Sequence, residues 1–86
     1  MSDIKALRQE IDKIDDSLAE LFTQRMQVVS LIAAEKRAVG QPTLDRARER
    51  EILERVCSAN PEFLLGQREL FESIFVISRN FQDDSL

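Results

Sequence analysis

Residues 4–36, IKALRQEIDKIDDSLAELFTQRMQVVSLIAAEK, decide how this chain folds. Ile4, Leu7, Ile11, Ile14, Leu18 and Leu21 recur in alternating steps of three and four, the rhythm of a coiled-coil seam. Continuing it reaches position 25 and then Val28 and Ile32, and position 25 is an arginine. Ser2 or Asp3 stands where a helix cap belongs, and Gly40 with Pro42 closes the far end. A helix over about residues 3–38 is roughly 50 Å long at 1.5 Å per residue. A compact monomer of this size has a radius of gyration of only about 12 Å. One copy cannot bury the whole stripe, so the pattern predicts an interlocked helical homodimer.

Two further breaks divide the remainder, VGQPT at 39–43 and SANPEF at 58–63, each a proline among turn formers. The second helix is predicted from about Thr43 or Asp45 to Ser58, with Ile52, Leu53 and Val56 facing inward. The third begins near Pro61, which suits a first-turn position. It turns Leu64, Phe71, Ile74, Phe75 and Phe81 inward, and Gly66 weakens its first part modestly. The expected fold is all-α, with three helices per chain, one of them long, in a single domain over residues 1–86.

Composition removes most function classes. A hydrophobic content of 43% with 33% charge is that of a soluble, ordered chain. No histidine is present, which excludes imidazole catalysis, histidine metal sites and Ser-His-Asp triads. A net charge of −4 argues against a nucleic-acid partner, which calls for a basic face. Two glycines leave no Gly-rich phosphate loop. No apolar run approaches the ~18 residues of a membrane span, and MSDIKALRQE has no signal-peptide character. With a lone cysteine, Cys57, the expected compartment is the cytoplasm.

What remains informative is polarity on the wrong face. Arg25, Val29, Ile32 and Lys36 form one strip of the first helix. Asp45, Arg48 and Glu49 continue the inward strip of Ile52 and Val56, and Ser78 and Gln82 extend that of Phe71, Ile74 and Phe75. Each has a bland explanation. Arg25 can snorkel, and Lys36 can lie against a helix C-terminus. Arg50/Glu54 and Glu51/Arg55 read as surface pairs at i, i+4. Convergence of all these residues is instead the signature of an anionic ligand, since buried unpaired cations cost several kcal/mol each. More than one carboxylate is implied, because arginine's fork grips a carboxylate bidentately. Arg8 lies roughly 25 Å from Arg25 along a straight helix. In an antiparallel dimer, however, Arg8 of the partner subunit could reach this pocket, which periodicity alone does not prove.

The order Arg8, Arg25, Lys36, then PTLDRARERE with Asp45, Arg48 and Glu49, then Ser78 and Gln82, resembles the all-helical chorismate mutase family over essentially the whole chain. The most specific elements are the Arg25-to-Lys36 spacing and the Pro-x-x-Asp-x-x-Arg-Glu pattern from Pro42 to Glu49. The resemblance implies an intertwined homodimer that converts chorismate to prephenate, toward phenylalanine and tyrosine, without cofactor or metal. Arg25, Arg48, Ser78 and Arg8 of the partner subunit would hold the two substrate carboxylates. Lys36 and Gln82 would donate to the ether oxygen, Glu49 and the backbone near Asp45 would bind the ring hydroxyl, and Ile32 would form apolar wall. Two rival readings accompany it: isochorismate pyruvate-lyase, against which Glu49 speaks, and a non-catalytic regulatory domain of a shikimate-pathway enzyme.

Overall fold

The computed structural model describes residues 3–84, in which the regular structure is helical throughout. Helix α1 runs Ile4–Val39, α2 runs Arg46–Ala59, and a 3-10 turn at Pro61–Phe63 leads directly into α3, Leu64–Asp84. Asp3 occupies the N-cap of α1 without a side-chain cap bond, and the alternative, Ser2, lies outside the described residues.

The far end of α1 stops for a clear reason. Gly40 sits at φ 69°, a left-handed conformation that a side chain disfavours. Its N–H bonds the Arg37 carbonyl at 3.3 Å, and the Gln41 N–H bonds that of Lys36 at 2.8 Å. This is the paired closure of a Schellman motif, which satisfies carbonyls that a helix end leaves open. Helix α2 then begins at Arg46, three residues after Thr43 and one after Asp45, because Asp45 is its cap. Its Oδ1 accepts from the Arg48 N–H at 3.0 Å.

Helix α3 packs against both α2 and the C-terminal half of α1. Val29, Ala33, Ile52, Cys57 and Phe75 are the buried apolar residues there, with Phe71 and Phe75 in a tilted ring contact at 6.3 Å. Two inward expectations fail. Leu64 and Phe81 remain 43% and 40% exposed. Leu64 stands at the first turn of α3, beside the 3-10 turn. Phe81 points about 100° away from Gln82, which takes the inward strip. Cys57 is more deeply buried than its neighbour Val56.

Among the described residues nothing covers the first half of α1. Ile4, Leu7, Ile11, Ile14, Leu18 and Leu21 are each more than half exposed. The molecule measures 59 × 24 × 15 Å with a radius of gyration of 16.2 Å, well above the compact-monomer value of about 12 Å. Covering each such side chain is worth about 1.5–3 kcal/mol. Six of them represent a driving force comparable to the ~5–15 kcal/mol stability of a whole domain.

Candidate functional site

A cavity of about 360 Å³ opens where the three helices meet. Helix α1 contributes Arg25, Val28, Val29, Ile32 and Lys36, and the following loop contributes Thr43 and Asp45. Arg48, Glu49 and Ile52 come from α2, and Phe75, Ser78, Arg79 and Gln82 from α3. Eight of the nine residues named from sequence therefore share one cavity. The exception is Arg8, which lies on the exposed arm of α1. The volume is within the ~300–1,000 Å³ usual for small-molecule sites.

Arg25 sets the electrostatics. Its Nη1 donates to Ser78 Oγ at 3.0 Å, and its guanidinium lies 6.0 Å from the centre of the Phe75 ring. Ser78 in turn donates to the Ile74 carbonyl at 2.7 Å, one turn back on α3. Its hydroxyl proton is thus turned away from Arg25 while its oxygen accepts. Burial, and then the nearby charge of Arg48, push the Arg25 pKa below the ordinary value of a guanidinium. Among the described residues no carboxylate forms an ion pair with Arg25. A partly buried cation beside a second cation, with only neutral contacts, is a site arranged for an anion.

Lys36 is held at the opposite end. Its Nζ donates to the Thr43 carbonyl at 2.9 Å, which leaves two of its three protons for other acceptors. It sits about 16 Å from Arg25 along the helix axis, so the two cations bracket the apolar wall of Val29 and Ile32. Ser78 and Gln82 are buried, one turn apart on the opposing face of α3.

The second helix departs from expectation in its pairing. Arg48 is exposed at the rim and pairs with Glu51 of its own helix at 2.9 Å. Glu51 was expected to reach Arg55, but the i, i+3 geometry to Arg48 serves instead. Such exposed pairs contribute only about 0.2–1 kcal/mol, so Arg48 can be drawn toward a ligand at small cost. Glu49 is half-buried and accepts a charge-assisted bond from Arg79 of α3. Sequence reasoning missed Arg79, although its place four residues after Phe75 and three before Gln82 put it on the same strip.

Counting Arg79, the cavity wall carries four cations, Arg25, Lys36, Arg48 and Arg79, against two carboxylates, Asp45 and Glu49. An excess of two positive charges in a chain whose net charge is −4 is a local inversion. It matches a ligand carrying two carboxylates. Among the described residues no group of three or more histidine, cysteine or acidic side chains is placed to hold a metal ion. No helix is long and apolar enough to cross a membrane.

A family model described as chorismate mutase type II matches residues 7–83. The chain belongs to that family. The matched span takes in α2 and nearly all of α1 and α3, including every residue of the cavity wall. The chain is also 36% identical over 66 residues to the bifunctional chorismate mutase/prephenate dehydratase of Aquifex aeolicus (strain VF5). That stretch covers 77% of this chain but 18% of the relative, so the chain spans less than a fifth of that protein's length. No solved structure matches it.

Proposed function

We propose that this domain catalyses the Claisen rearrangement of chorismate to prephenate, as a homodimer that shares residues between its two sites. The observation that carries this is Arg25, a guanidinium without a counter-ion among the described residues, on the wall of a cavity with two surplus positive charges. Arg25, Arg48 and Ser78 bind the two carboxylates, with Arg8 of the partner subunit. The exposed seam of Ile4 to Leu21 supports the dimer, since a second copy offers the same three-and-four rhythm in return. A short distance within one chain cannot bring Arg8 to the cavity, for it stands about 25 Å from Arg25 along α1.

The chemistry asks little of a protein in covalent terms. One ether C–O bond breaks as one C–C bond forms within the same molecule, and no proton or electron is exchanged. The site has two tasks. It holds the enolpyruvyl side chain folded over the ring, using the carboxylate contacts at one end and the Ile32 wall beneath. It also stabilises negative charge growing on the ether oxygen. Lys36 and Gln82 donate there, while Glu49 and the backbone beside Asp45 take the ring hydroxyl. An acceleration of 10⁶-fold requires about 8 kcal/mol. Two preorganised donors supplying ~3–4 kcal/mol apiece would account for most of it.

The test is incubation of the purified protein with chorismate, products identified by NMR, with Arg25→Ala alongside. Prephenate from the unaltered chain alone is expected. Turnover of isochorismate to pyruvate and salicylate without prephenate would transfer the assignment to the related lyase. Dianion binding without turnover of either would leave a regulatory domain.

A further inference from the structure

One cation on the cavity wall, Arg79, has no part in the reading above. Arg79 reaches from α3 across to α2 and donates from Nη1 to Oε2 of Glu49. The two side chains are 29% and 24% exposed, and both line the cavity. The other cations are engaged elsewhere: Arg25 by Ser78, Lys36 by the Thr43 carbonyl and Arg48 by Glu51 outside the cavity. Arg79 is the cation whose partner is itself a cavity carboxylate.

We propose that Arg79 is a positioning residue that makes the site selective for a dianion bearing a hydroxyl. A glutamate side chain has several rotatable bonds, and immobilising it on its own costs conformational entropy. The charge-assisted bond to Arg79 fixes it before any ligand arrives. With Oε2 occupied, Oε1 is the oxygen left to accept from the ligand. An ionised carboxylate can only accept, so it rewards a ligand hydroxyl and penalises a keto or ether oxygen at the same place. Selectivity of this kind is strong when the polar group would otherwise be left unmatched. This rests on the dianion-binding reading of the site and adds Arg79 to it.

The experiment compares chorismate with its analogue lacking the ring hydroxyl, on the unaltered protein, Arg79→Met, Glu49→Gln and the double variant. kcat, KM and dianion affinity by calorimetry are read for each, with Tm as the folding control. On chorismate, each single variant should lose about tenfold or more in kcat/KM, the scale of a hydrogen bond to a charged group. The double should be no worse than Glu49→Gln, because both changes remove one contact. On the deoxy analogue, which offers Glu49 no hydroxyl, the loss caused by Arg79→Met should be several-fold smaller than on chorismate.

Other outcomes overturn the proposal in recognisable ways. If Arg79 acts only as a charge, Arg79→Met weakens both ligands alike and the double variant recovers, its cavity charge restored. If the pair only staples α2 to α3, Tm falls while kcat/KM on chorismate does not. If the unaltered protein binds neither dianion, the proposal falls together with the functional reading, a result visible before any variant is made.

Discussion

Arg25 Nη1 and Ser78 Oγ stand 3.0 Å apart across the α1–α3 contact, joining positions separated by 53 residues. The serine's own proton goes to Ile74, so the contact leaves the arginine's positive charge without an anion. A cation held in a cavity in this way raises the free energy of the empty protein. Ligand binding releases that cost.

The first expectation concerns Arg25 itself. Its pKa is lowered by burial and by Arg48, so its charged form is less favoured in the folded than in the unfolded chain. The unfolded chain then binds the proton more tightly, and stability rises with pH only through the alkaline interval between the folded and unfolded values. At pH 7 the full cost is present. Arg25→Met should therefore leave Tm at pH 7 equal or higher while removing chorismate turnover by about 10²-fold or more. Thermal melts and steady-state kinetics on one preparation decide it, and a clear drop in Tm would make Arg25 a structural contact.

Lys36 bears on where the charge develops. Lys36→Ala should lower kcat as well as raise KM, with a loss on the order of 10²–10³ in kcat. An effect confined to KM would show that the ammonium binds substrate and transition state alike.

Gln82 is buried in α3, so a carboxyl group placed there would resist ionisation. Gln82→Glu should donate to the ether oxygen only when protonated. Activity should climb as pH falls toward a carboxyl pKa raised above the ordinary value of about 4.3. Full activity at pH 8 would argue against an ether-oxygen contact at this position.

The exposed seam gives a test of shared sites. Ile14→Asp places a charge in the middle of the stripe, far from the cavity, and its residue is half exposed in the single chain. Sedimentation should show a shift from dimer to monomer, with turnover lost in parallel because Arg8 of the partner subunit is removed. A monomer with undiminished kcat would remove Arg8 from the site.

Gly66 concerns stability alone. It lies in the first turns of α3, and a Cβ built on it meets nothing within 4 Å. Gly66→Ala should stabilise the fold by about 0.5–1 kcal/mol, read as a higher denaturant midpoint with kcat unchanged. At Gly40 the same substitution should destabilise, because φ 69° disfavours a side chain.

Much of the candidate site is visible in spacing. Arg25 and Lys36 on α1, Asp45, Arg48 and Glu49 at the start of α2, and Ser78 and Gln82 on α3 stand out as polar residues where an apolar strip should continue. All of them line the cavity. Arg79 did not stand out, because Ser78 beside it already satisfied the helical period. Phe81 was expected inward on hydrophobicity alone, although Gln82 holds the inward register.

The chain's local pattern determined its helices, their breaks at Gly40 and Pro61, and the face from which each polar residue projects. Helical geometry decides these within a few residues, since backbone hydrogen bonds and Cβ directions repeat every turn. Only the tertiary structure decided the partners. Arg48 turns to Glu51, Arg79 crosses to Glu49, and Lys36 bends to the Thr43 carbonyl. Arginine, lysine and glutamate end in groups several rotatable bonds from the backbone. The period fixes where such a side chain starts, and its charged end is placed only by the groups that other helices bring within reach.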